Sequence, residues 1–333
     1  MKLAGLGEAE LVAAIRRDFG GKGRGLELGI GDDAAVLRPG RVGKLLLTTD
    51  LLVENVDFRR SFHPPYLLGR KSLNVNLSDI AAMGGRPRWA LLGLALPLRL
   101  KTTWVEEFFR GFRSACRDED VLLVGGDLSA ADKIMISVIV AGQARRVVTR
   151  QGARPGDTLF VSGPLGDAAG GLRLLKKAGR PGLLLKRRLE PGLDFRLRQA
   201  FLDPHPQVEL GLKLAERRLA SAMIDLSDGL STDVHNLCRE SRVGAEIWAE
   251  NIPLSPELKK VFPSPLKLAL HGGEDFQLLF ASPRRSWPGL RQLSRSFPLT
   301  PIGRVVRGRE IFLVGPGRRK RLLPARGWQH FLR

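Results

Sequence analysis

Six aspartates in this sequence lie at a predicted strand end, a turn or a helix end. They are Asp33, Asp50, Asp79, Asp127, Asp225 and Asp228. The clearest case is the run 222–230, where a short apolar strand precedes two carboxylates, Ser227 and Gly229. Carboxylate and hydroxyl oxygens suit a hard cation such as Mg²⁺, which usually carries substrate phosphates. The alternative at these positions is structural, either a helix N-cap or an Asx-turn.

The six carboxylates could act together if the fold brings them into one place. Their mutual repulsion would then forbid an empty site, and several divalent ions bridging the phosphates of a nucleotide would cancel it. Phosphoryl transfer needs mainly positioning and charge neutralisation, without a protein nucleophile. No Ser/His/Asp or Cys/His hydrolase pattern competes, because the five histidines stand in unrelated contexts. The pattern therefore favours metal-assisted phosphoryl transfer.

The elements that must position these residues alternate between strands and helices in the first half of the chain. We expect helices at 8–19, 62–82 and 103–117 and strands at 44–50, 89–96, 121–127 and 134–141. Some strands follow one another directly, which favours a mixed sheet. Asp79 falls in the last turn of helix 62–82, where the helix dipole opposes a carboxylate, so we expect a cationic partner.

A basic, turn-rich segment at 145–157 predicts a joint between two domains, 1–146 and 147–333. In the second domain we expect strands at 158–162, 276–280, 302–306 and 311–314 and helices at 168–177 and 206–219. A further helix should open near Ser227 or Asp228. The Gly-Gly-Glu-Asp sequence at 272–275 predicts another turn with acidic residues, directly before an apolar strand. The Pro/Gly-bounded basic segment 179–193 receives no role.

Composition indicates a globular α/β or α+β protein. The 333 residues contain 43% hydrophobic residues, and the only two cysteines, Cys116 and Cys238, form no disulfide framework. No signal peptide or membrane span is evident, so we expect a cytoplasmic protein. The formal charge of +20 leaves a nucleic-acid-binding module open as an alternative. The basic residues are dispersed, however, and the sequence shows no basic–aromatic alternation, so we expect no nucleic acid and no membrane partner.

Eight motifs, in order along nearly the whole chain, closely resemble the thiamine-monophosphate kinase family. That family belongs to the superfamily of aminoimidazole ribonucleotide synthetase. The motifs are GIGDDAAVL at 29–37, TTD at 48–50, NVNLSDIAAMGG at 74–85, VGGD at 124–127, TRQGARPGD at 149–157, AMIDLSDGLSTD at 222–233, HGGEDFQLLF at 271–280 and RGWQHF at 326–331.

The resemblance implies a two-domain aminoimidazole ribonucleotide synthetase-like fold with mixed sheets. The N-terminal domain would bind ATP and Mg²⁺ and pair its sheet with that of a second copy in a homodimer. The C-terminal domain would be α+β. The implied reaction is ATP-dependent phosphorylation of thiamine phosphate to thiamine diphosphate by direct in-line transfer.

The resemblance also implies the roles of individual residues. The implied Mg²⁺ ligands are Asp33, Thr48, Thr49, Asp50, Asp79, Asp127, Asp225 and Asp228, with Asp225 and Asp228 the most critical. The implied ATP contacts are Gly126, Asp127, Arg150 and Ser227, and the implied substrate contacts are Asp57, Glu274 and Trp328. Trp328 would stack on a flat cationic ring, and Glu274 would offset the ring charge or bind its amino group. Asp57 departs from the family pattern, because some relatives carry His there.

Other members of the superfamily are the nearest alternatives. A selenophosphate synthetase would need an early cysteine, and none precedes Cys116. A hydrogenase-maturation carbamoyl dehydratase would need a C-terminal cysteine, and this chain ends at Arg333 without one. Aminoimidazole ribonucleotide synthetase itself stays open, because a fold alone does not determine the substrate.

Overall fold

The computed structural model of this chain describes residues 26–28, 32–33, 35–37, 43–178 and 192–328. The expected helix at 8–19, most of the basic segment 179–193 and the end of the RGWQHF motif lie outside the described residues. Within the described residues, no helix is both long and apolar enough to cross a bilayer.

The N-terminal unit is built on a six-stranded mixed sheet. Its strands are β1 (Leu26–Leu28), β2 (Ala35–Leu37), β3 (Lys44–Val53), β4 (Arg86–Leu96), β5 (Leu122–Ala130) and β6 (Met135–Ala144). Their order is β1-β2-β3-β6-β4-β5, and every neighbouring pair is antiparallel except β4 and β5, which are parallel. The expectation of a mixed sheet is therefore confirmed.

Two helices, α1 (Pro65–Ala82) and α2 (Thr102–Asp118), cover one face of this sheet. Side chains of both helices share one core with alternate residues of β3, β4 and β6, among them Leu46, Leu92 and Val138. Helix α1 is buried on most of its circumference, because the second unit covers the side that the sheet and α2 leave open. A helix buried in this way needs no polar outer face.

The C-terminal unit contains a seven-stranded sheet. Its strands are β7 (Thr158–Val161), β8 (Ala222–Asp225), β9 (Gly244–Trp248), β10 (Leu278–Ser282), β11 (Thr300–Val306), β12 (Ile311–Val314) and β13 (Lys320–Leu322). Their order is β13-β12-β9-β11-β7-β10-β8, with β9 and β12 parallel and all other pairs antiparallel. Leu159 and Val161 belong to one apolar core and Phe160 to another, so the sheet is covered on both faces.

The described helices of this unit are short. They are α3 (Asp167–Ala178), α4 (Leu193–Leu202), α5 (Val208–Glu216), α6 (Leu230–Ser241), α7 (Pro256–Val261), α8 (Pro265–His271) and α9 (Trp287–Leu293). Helix α6 begins later than the expected Ser227 or Asp228, because Gly229 has an extended, positive-φ conformation (φ 109°, ψ 148°). Strand β10 likewise begins at Leu278 rather than Phe276, because Glu274 and Phe276 have positive φ.

Two strands of the N-terminal sheet extend beyond their expected ends. Strand β3 pairs with β6 as far as Val53, so Asp50 lies inside the strand and not at its end. Strand β5 pairs with β4 as far as Ala130 and includes Asp127. Turn-forming glycines predicted the end of β5 incorrectly, because the ladder to β4 continues across them. Strand β5 is also exposed along its whole length, since it is the edge strand.

Candidate active site

Three aspartates from distant parts of the chain meet between the two units. One carboxylate oxygen from each of Asp33, Asp79 and Asp225 lies within 4.8 Å of the other two. Asp33 follows β1, Asp79 is in the last turn of α1, and Asp225 is the last residue of β8. The predicted convergence therefore occurs for these three carboxylates.

Two hydroxyl groups hold the carboxylates of this cluster in place. Thr48 Oγ1, on the helix-covered face of β3, donates to Asp79 Oδ2 at 2.5 Å. Ser78 Oγ, the neighbour of Asp79 in α1, donates to Asp225 Oδ2 at 2.7 Å. The Ser78–Asp225 hydrogen bond joins the two units directly at the cluster.

Among the described residues, only one of the three clustered carboxylates, that of Asp33, forms an ion pair with a cationic side chain. Burial, followed by the nearby carboxylates Asp50, Asp225 and Asp33, raises the pKa of Asp79 well above its usual value. Burial and Asp33 likewise raise the pKa of Asp225. Within the described part of the chain, Asp79 forms no ion pair with Lys or Arg, so the expected cationic partner is not a side chain there. The buried carboxylate oxygens of Asp79 and Asp225, which have no ion-pair partner among the described residues, fit a Mg²⁺ site.

Arg150 lies beside the acidic loop and binds it through both side chain and backbone. Its guanidinium forms a short ion pair with Asp33, and its Nε lies 3.6 Å from Asp32 Oδ1. Its backbone N–H donates to Asp32 Oδ2 at 3.0 Å. Burial, followed by the charge of Asp33, raises the pKa of Asp32 to about 7. Burial alone would lower the pKa of Arg150, but Asp33 and Asp32 raise it.

The turn after β8 presents Ser227 and Asp228 to the same region. The Asp233 carboxylate, in the first turn of α6, accepts the backbone N–H groups of Gly229 at 2.9 Å and Asp228 at 3.2 Å. Ser227 O accepts from Glu274 N at 2.7 Å, and Asp228 O accepts from Trp328 N at 3.0 Å. Hydrogen bonds to Asp233, Glu274 and Trp328 therefore hold the turn in place.

A cavity of about 590 Å³ opens next to the cluster. The site residues predicted from the sequence that line it are Asp50, Asp57, Asp79, Asp225, Ser227, Asp228, Glu274 and Trp328. Burial and then Asp57 raise the pKa of Asp50 to about 6. Asp57 also accepts the backbone N–H of Val53 at 2.8 Å, which closes the turn after β3. Four of the expected metal ligands therefore line the same cavity as the three expected acceptor contacts.

Thr49, Gly126 and Asp127 do not line this cavity. Thr49 pairs with the exposed Ile139, so it faces the opposite side of the sheet from its buried neighbour Thr48. Gly126 and Asp127 lie in β5, three strand positions from β3, or about 14 Å at the usual strand spacing. Their implied roles in Mg²⁺ and ATP binding stay predictions.

Lys71, Asp233 and Asp275 support the site without having been assigned a role from the sequence. Lys71 Nζ lies 2.9 Å from Glu274 Oε1. Asp275 accepts the N–H groups of Gly166 at 2.7 Å and Ala168 at 3.2 Å at the start of α3. Helical spacing could have identified Lys71, because positions 71, 75 and 79 recur every four residues on one face. Asp233 has the first-turn position typical of a residue that caps a helix.

The whole chain is similar to known proteins. Family models described as "AIR synthase related protein, N-terminal domain" and "AIR synthase related protein, C-terminal domain" match residues 31–144 and 154–315. The thiamine-monophosphate kinase of Aquifex aeolicus is 40% identical over 335 residues, covering 99% of this chain and 100% of that protein. The thiamine-monophosphate kinase of Bacillus subtilis is 31% identical over 312 residues, covering 92% and 94%.

A solved structure agrees with the sequence matches. AaThiL complexed with AMPPCP and TMP superposes with a TM-score of 0.85, at 40% identity and with 99% of each chain covered. The family models and this structure confirm the expected α/β fold with two domains related to aminoimidazole ribonucleotide synthetase.

Proposed function

We propose that this chain, which belongs to the thiamine-monophosphate kinase family, transfers the γ-phosphoryl group of ATP directly to thiamine phosphate. The product would be thiamine diphosphate. The observation that carries the proposal is the convergence of Asp33, Asp79 and Asp225 beside the cavity. The related AaThiL structure holds AMPPCP and TMP together, which supports ATP as donor and thiamine phosphate as acceptor here.

The acidic cluster is proposed to hold Mg²⁺ through Asp33, Asp79 and Asp225, with Asp50 and Asp228 on the wall of the same cavity. When bound, Mg²⁺ supplies charge neutralisation for the phosphate oxygens and so permits in-line transfer without a protein nucleophile. The chain's own part is positioning. Thr48 and Ser78 orient the carboxylates, and the turn at Ser227 and Asp228 brings a backbone close to the phosphates.

The nucleotide side of the site is proposed to include Arg150 and Ser227. Arg150 has a planar guanidinium suited to phosphate, and it already stands against the acidic loop. In the sequence, Ser227 lies between Asp225 and Asp228, two of the proposed Mg²⁺ ligands. Gly126 and Asp127 remain proposed nucleotide contacts by resemblance alone, since they lie on the edge strand.

The acceptor side is proposed to include Glu274, Trp328 and Asp57. The Trp328 ring is half exposed and lines the cavity, where it would stack on a flat ring of the acceptor. Glu274 lies on the wall of the same cavity. Asp57 lies close enough to Asp50 to raise its pKa, which supports a role for Asp57 at the metal side of the acceptor site.

A homodimer is proposed through the face of the N-terminal sheet that α1 and α2 leave uncovered. Large apolar side chains are exposed there on neighbouring strands, namely Leu51, Trp89, Leu91, Leu122, Val124, Met135 and Ile139. An exposed apolar patch of this kind on an open sheet is typical of a protein interface. A cytoplasmic location is also proposed, because Cys116 and Cys238 are buried and unpaired.

One assay tests the reaction. The purified chain is incubated with ATP, Mg²⁺ and thiamine phosphate, and thiamine diphosphate and ADP are quantified. We expect equal amounts of both products, and none when EDTA replaces Mg²⁺. Free thiamine offered in place of thiamine phosphate is the control acceptor and should give no thiamine diphosphate. A folded protein that releases no thiamine diphosphate under these conditions contradicts the proposal.

A further inference from the structure

Among the described residues, Lys71 is the most completely buried lysine or arginine. It lies in α1 with only 1% of its side chain exposed. Its ammonium group lies 2.9 Å from Glu274 Oε1, donates to Phe201 O at 3.0 Å and sits 3.8 Å from the centre of the Phe201 ring. A lysine buried to this extent without a partner would be costly, so the Glu274 carboxylate and the Phe201 carbonyl account for its position.

Glu274 is fixed at both its backbone and its carboxylate. Its φ of 68° lies in the left-handed region, and its N–H donates to Ser227 O at 2.7 Å. Two residues later, Phe276 N donates to Leu226 O at 2.9 Å, so both sides of the turn are tied to the turn after β8. Among the described residues, Lys71 is the cation that pairs with Glu274. The negative charge of Glu274 is therefore balanced before any substrate binds.

We infer that Lys71 is a positioning residue for the acceptor, acting through Glu274; this inference rests on the proposed function. Lys71 balances the charge of Glu274 and directs its carboxylate, so Glu274 meets the substrate as an oriented hydrogen-bond acceptor. A charge-balanced acceptor recognises the amino group on the pyrimidine ring of thiamine phosphate. It contributes little to binding the positive charge of the thiazolium ring. Of the two roles that the sequence left open for Glu274, the pairing with Lys71 supports amino-group recognition.

The position of Lys71 along α1 fits this division of the substrate. Lys71, Val75 and Asp79 follow one another at four-residue intervals, and Val75 and Asp79 line the cavity. Eight residues of α-helix correspond to about 12 Å along the axis. One face of α1 therefore carries the proposed metal ligand Asp79 at its C-terminal end and, two turns earlier, Lys71, which supports the carboxylate of Glu274.

The inference is tested with Lys71→Met, Glu274→Gln and the double variant. We expect Lys71→Met to raise the KM for thiamine phosphate about tenfold or more and to change the KM for ATP by less than about twofold. Because Lys71 acts through Glu274, adding Lys71→Met to Glu274→Gln should change the KM for thiamine phosphate by less than about twofold further. Fully additive effects of the two substitutions would overturn the inference.

A substrate analogue gives a second readout that a purely structural role would not change. Oxythiamine phosphate carries an oxygen in place of the pyrimidine amino group. The ratio of kcat/KM for thiamine phosphate over this analogue should fall in Lys71→Met as far as it falls in Glu274→Gln. An unchanged ratio in Lys71→Met, with the wild-type ratio well above one, would overturn the inference.

The adjacent Arg70 provides a matched control. Its guanidinium binds Asp203 at 2.8 Å and Asp118 at 2.7 Å, and it does not line the cavity. Arg70→Met should lower thermal stability and leave the KM for thiamine phosphate unchanged. If Lys71→Met does not fold, Lys71→Arg replaces it. We then expect an increased KM for thiamine phosphate, because the larger guanidinium group does not fit against Phe201.

The outcomes also separate this inference from the proposed function. Absence of thiamine diphosphate with the wild-type chain would contradict the proposed function itself. An active wild type whose Lys71 variant behaves like Arg70→Met would overturn only the role of Lys71.

Discussion

At the scale of single residues, Asp225 combines the two properties that the site requires. It is 2% exposed, and it is held by the Ser78 hydroxyl at the point where the two units meet. A buried carboxylate next to other carboxylates favours either a proton or a metal ion. Asp79 has the same environment at the end of α1. Protons and metal cations therefore compete for these two carboxylates, which titrate as a coupled pair.

This competition predicts how the stability of the metal-free protein depends on pH. Burial raises the pKa of Asp50 to about 6 and the pKa of Asp32 to about 7, from an ordinary aspartate value of 3.8. Because the folded pKa values are raised, the free energy of unfolding should decrease as pH rises from about 4 to about 7. Mg²⁺ should restore stability mainly at the higher pH, since it replaces protons on the carboxylates.

Thermal unfolding at pH 5 and pH 8, with EDTA or with Mg²⁺, measures this effect. We expect Mg²⁺ to raise the Tm by several degrees more at pH 8 than at pH 5. An equal rise at both pH values would show that the cation does not bind the cluster.

At the scale of elements, the turn between β8 and α6 depends on one glycine. Gly229 has φ 109°, and a Cβ atom there would lie 2.6 Å from Gly272 O. Gly229→Ala should therefore destabilise the protein by about 2–4 kcal/mol and reduce turnover by displacing Asp228. Gly308 is the matched control, because it has φ 101° and no atom within 4 Å of a Cβ. Gly308→Ala should cost about 1 kcal/mol from backbone strain and leave turnover unchanged.

Chemical denaturation and steady-state kinetics of the two variants provide the comparison. Equal losses of stability and normal turnover in both variants would mean that the contact with Gly272 does not position the turn.

Sequence patterns predicted the existence of the elements better than their ends. Apolar runs and helical spacing identified β3, β4, β6, α1 and α2. The buried side chains of these elements recur along the sequence at the spacing typical of a strand or a helix. The strands β9 and β13 were not predicted. The start of β10 was misplaced, because the positive φ of Phe276 arises from tertiary hydrogen bonds to the neighbouring turn. The conformational propensities of neighbouring residues do not reflect such contacts between distant parts of the chain.

The same limit applies to the candidate site. Resemblance to a family identified most of the carboxylates around the cavity, but alternation along β3 separates Thr48 from Thr49 on opposite faces. Lys71 was overlooked because a lysine in a helix is usually solvent-exposed, and its burial depends on packing against α4.

At the scale of the whole molecule, α1 joins the two units and the uncovered sheet face is available for a second copy. Asn74 of α1 donates to the Pro204 carbonyl of the C-terminal unit, and Ser78 of α1 donates to Asp225. The site therefore depends on the relative position of the units that α1 maintains. On the other side of the sheet, Leu91 pairs with Ile139 at the centre of the exposed apolar face.

The proposed dimer predicts the effect of a charge at this centre. Ile139→Glu should weaken association by about 100-fold or more, because a carboxylate would be buried without a partner in the interface. Leu98→Glu is the control, since Leu98 is 93% exposed and lies outside the strands. Size-exclusion chromatography with light scattering should show twice the chain mass for the wild type and for Leu98→Glu, and a single chain mass for Ile139→Glu. A wild-type chain that is monomeric at micromolar concentration would contradict the dimer.

The formation of thiamine diphosphate by Asp225→Asn is the most direct test of the claim that the clustered carboxylates hold the cations required for transfer. Asparagine keeps the shape of the side chain and removes its charge. We expect turnover to fall by about 1,000-fold or more at saturating Mg²⁺, with the Tm of the metal-free protein maintained or increased because a repelling charge is lost. Turnover within about tenfold of the wild type in a folded Asp225→Asn protein would contradict the account.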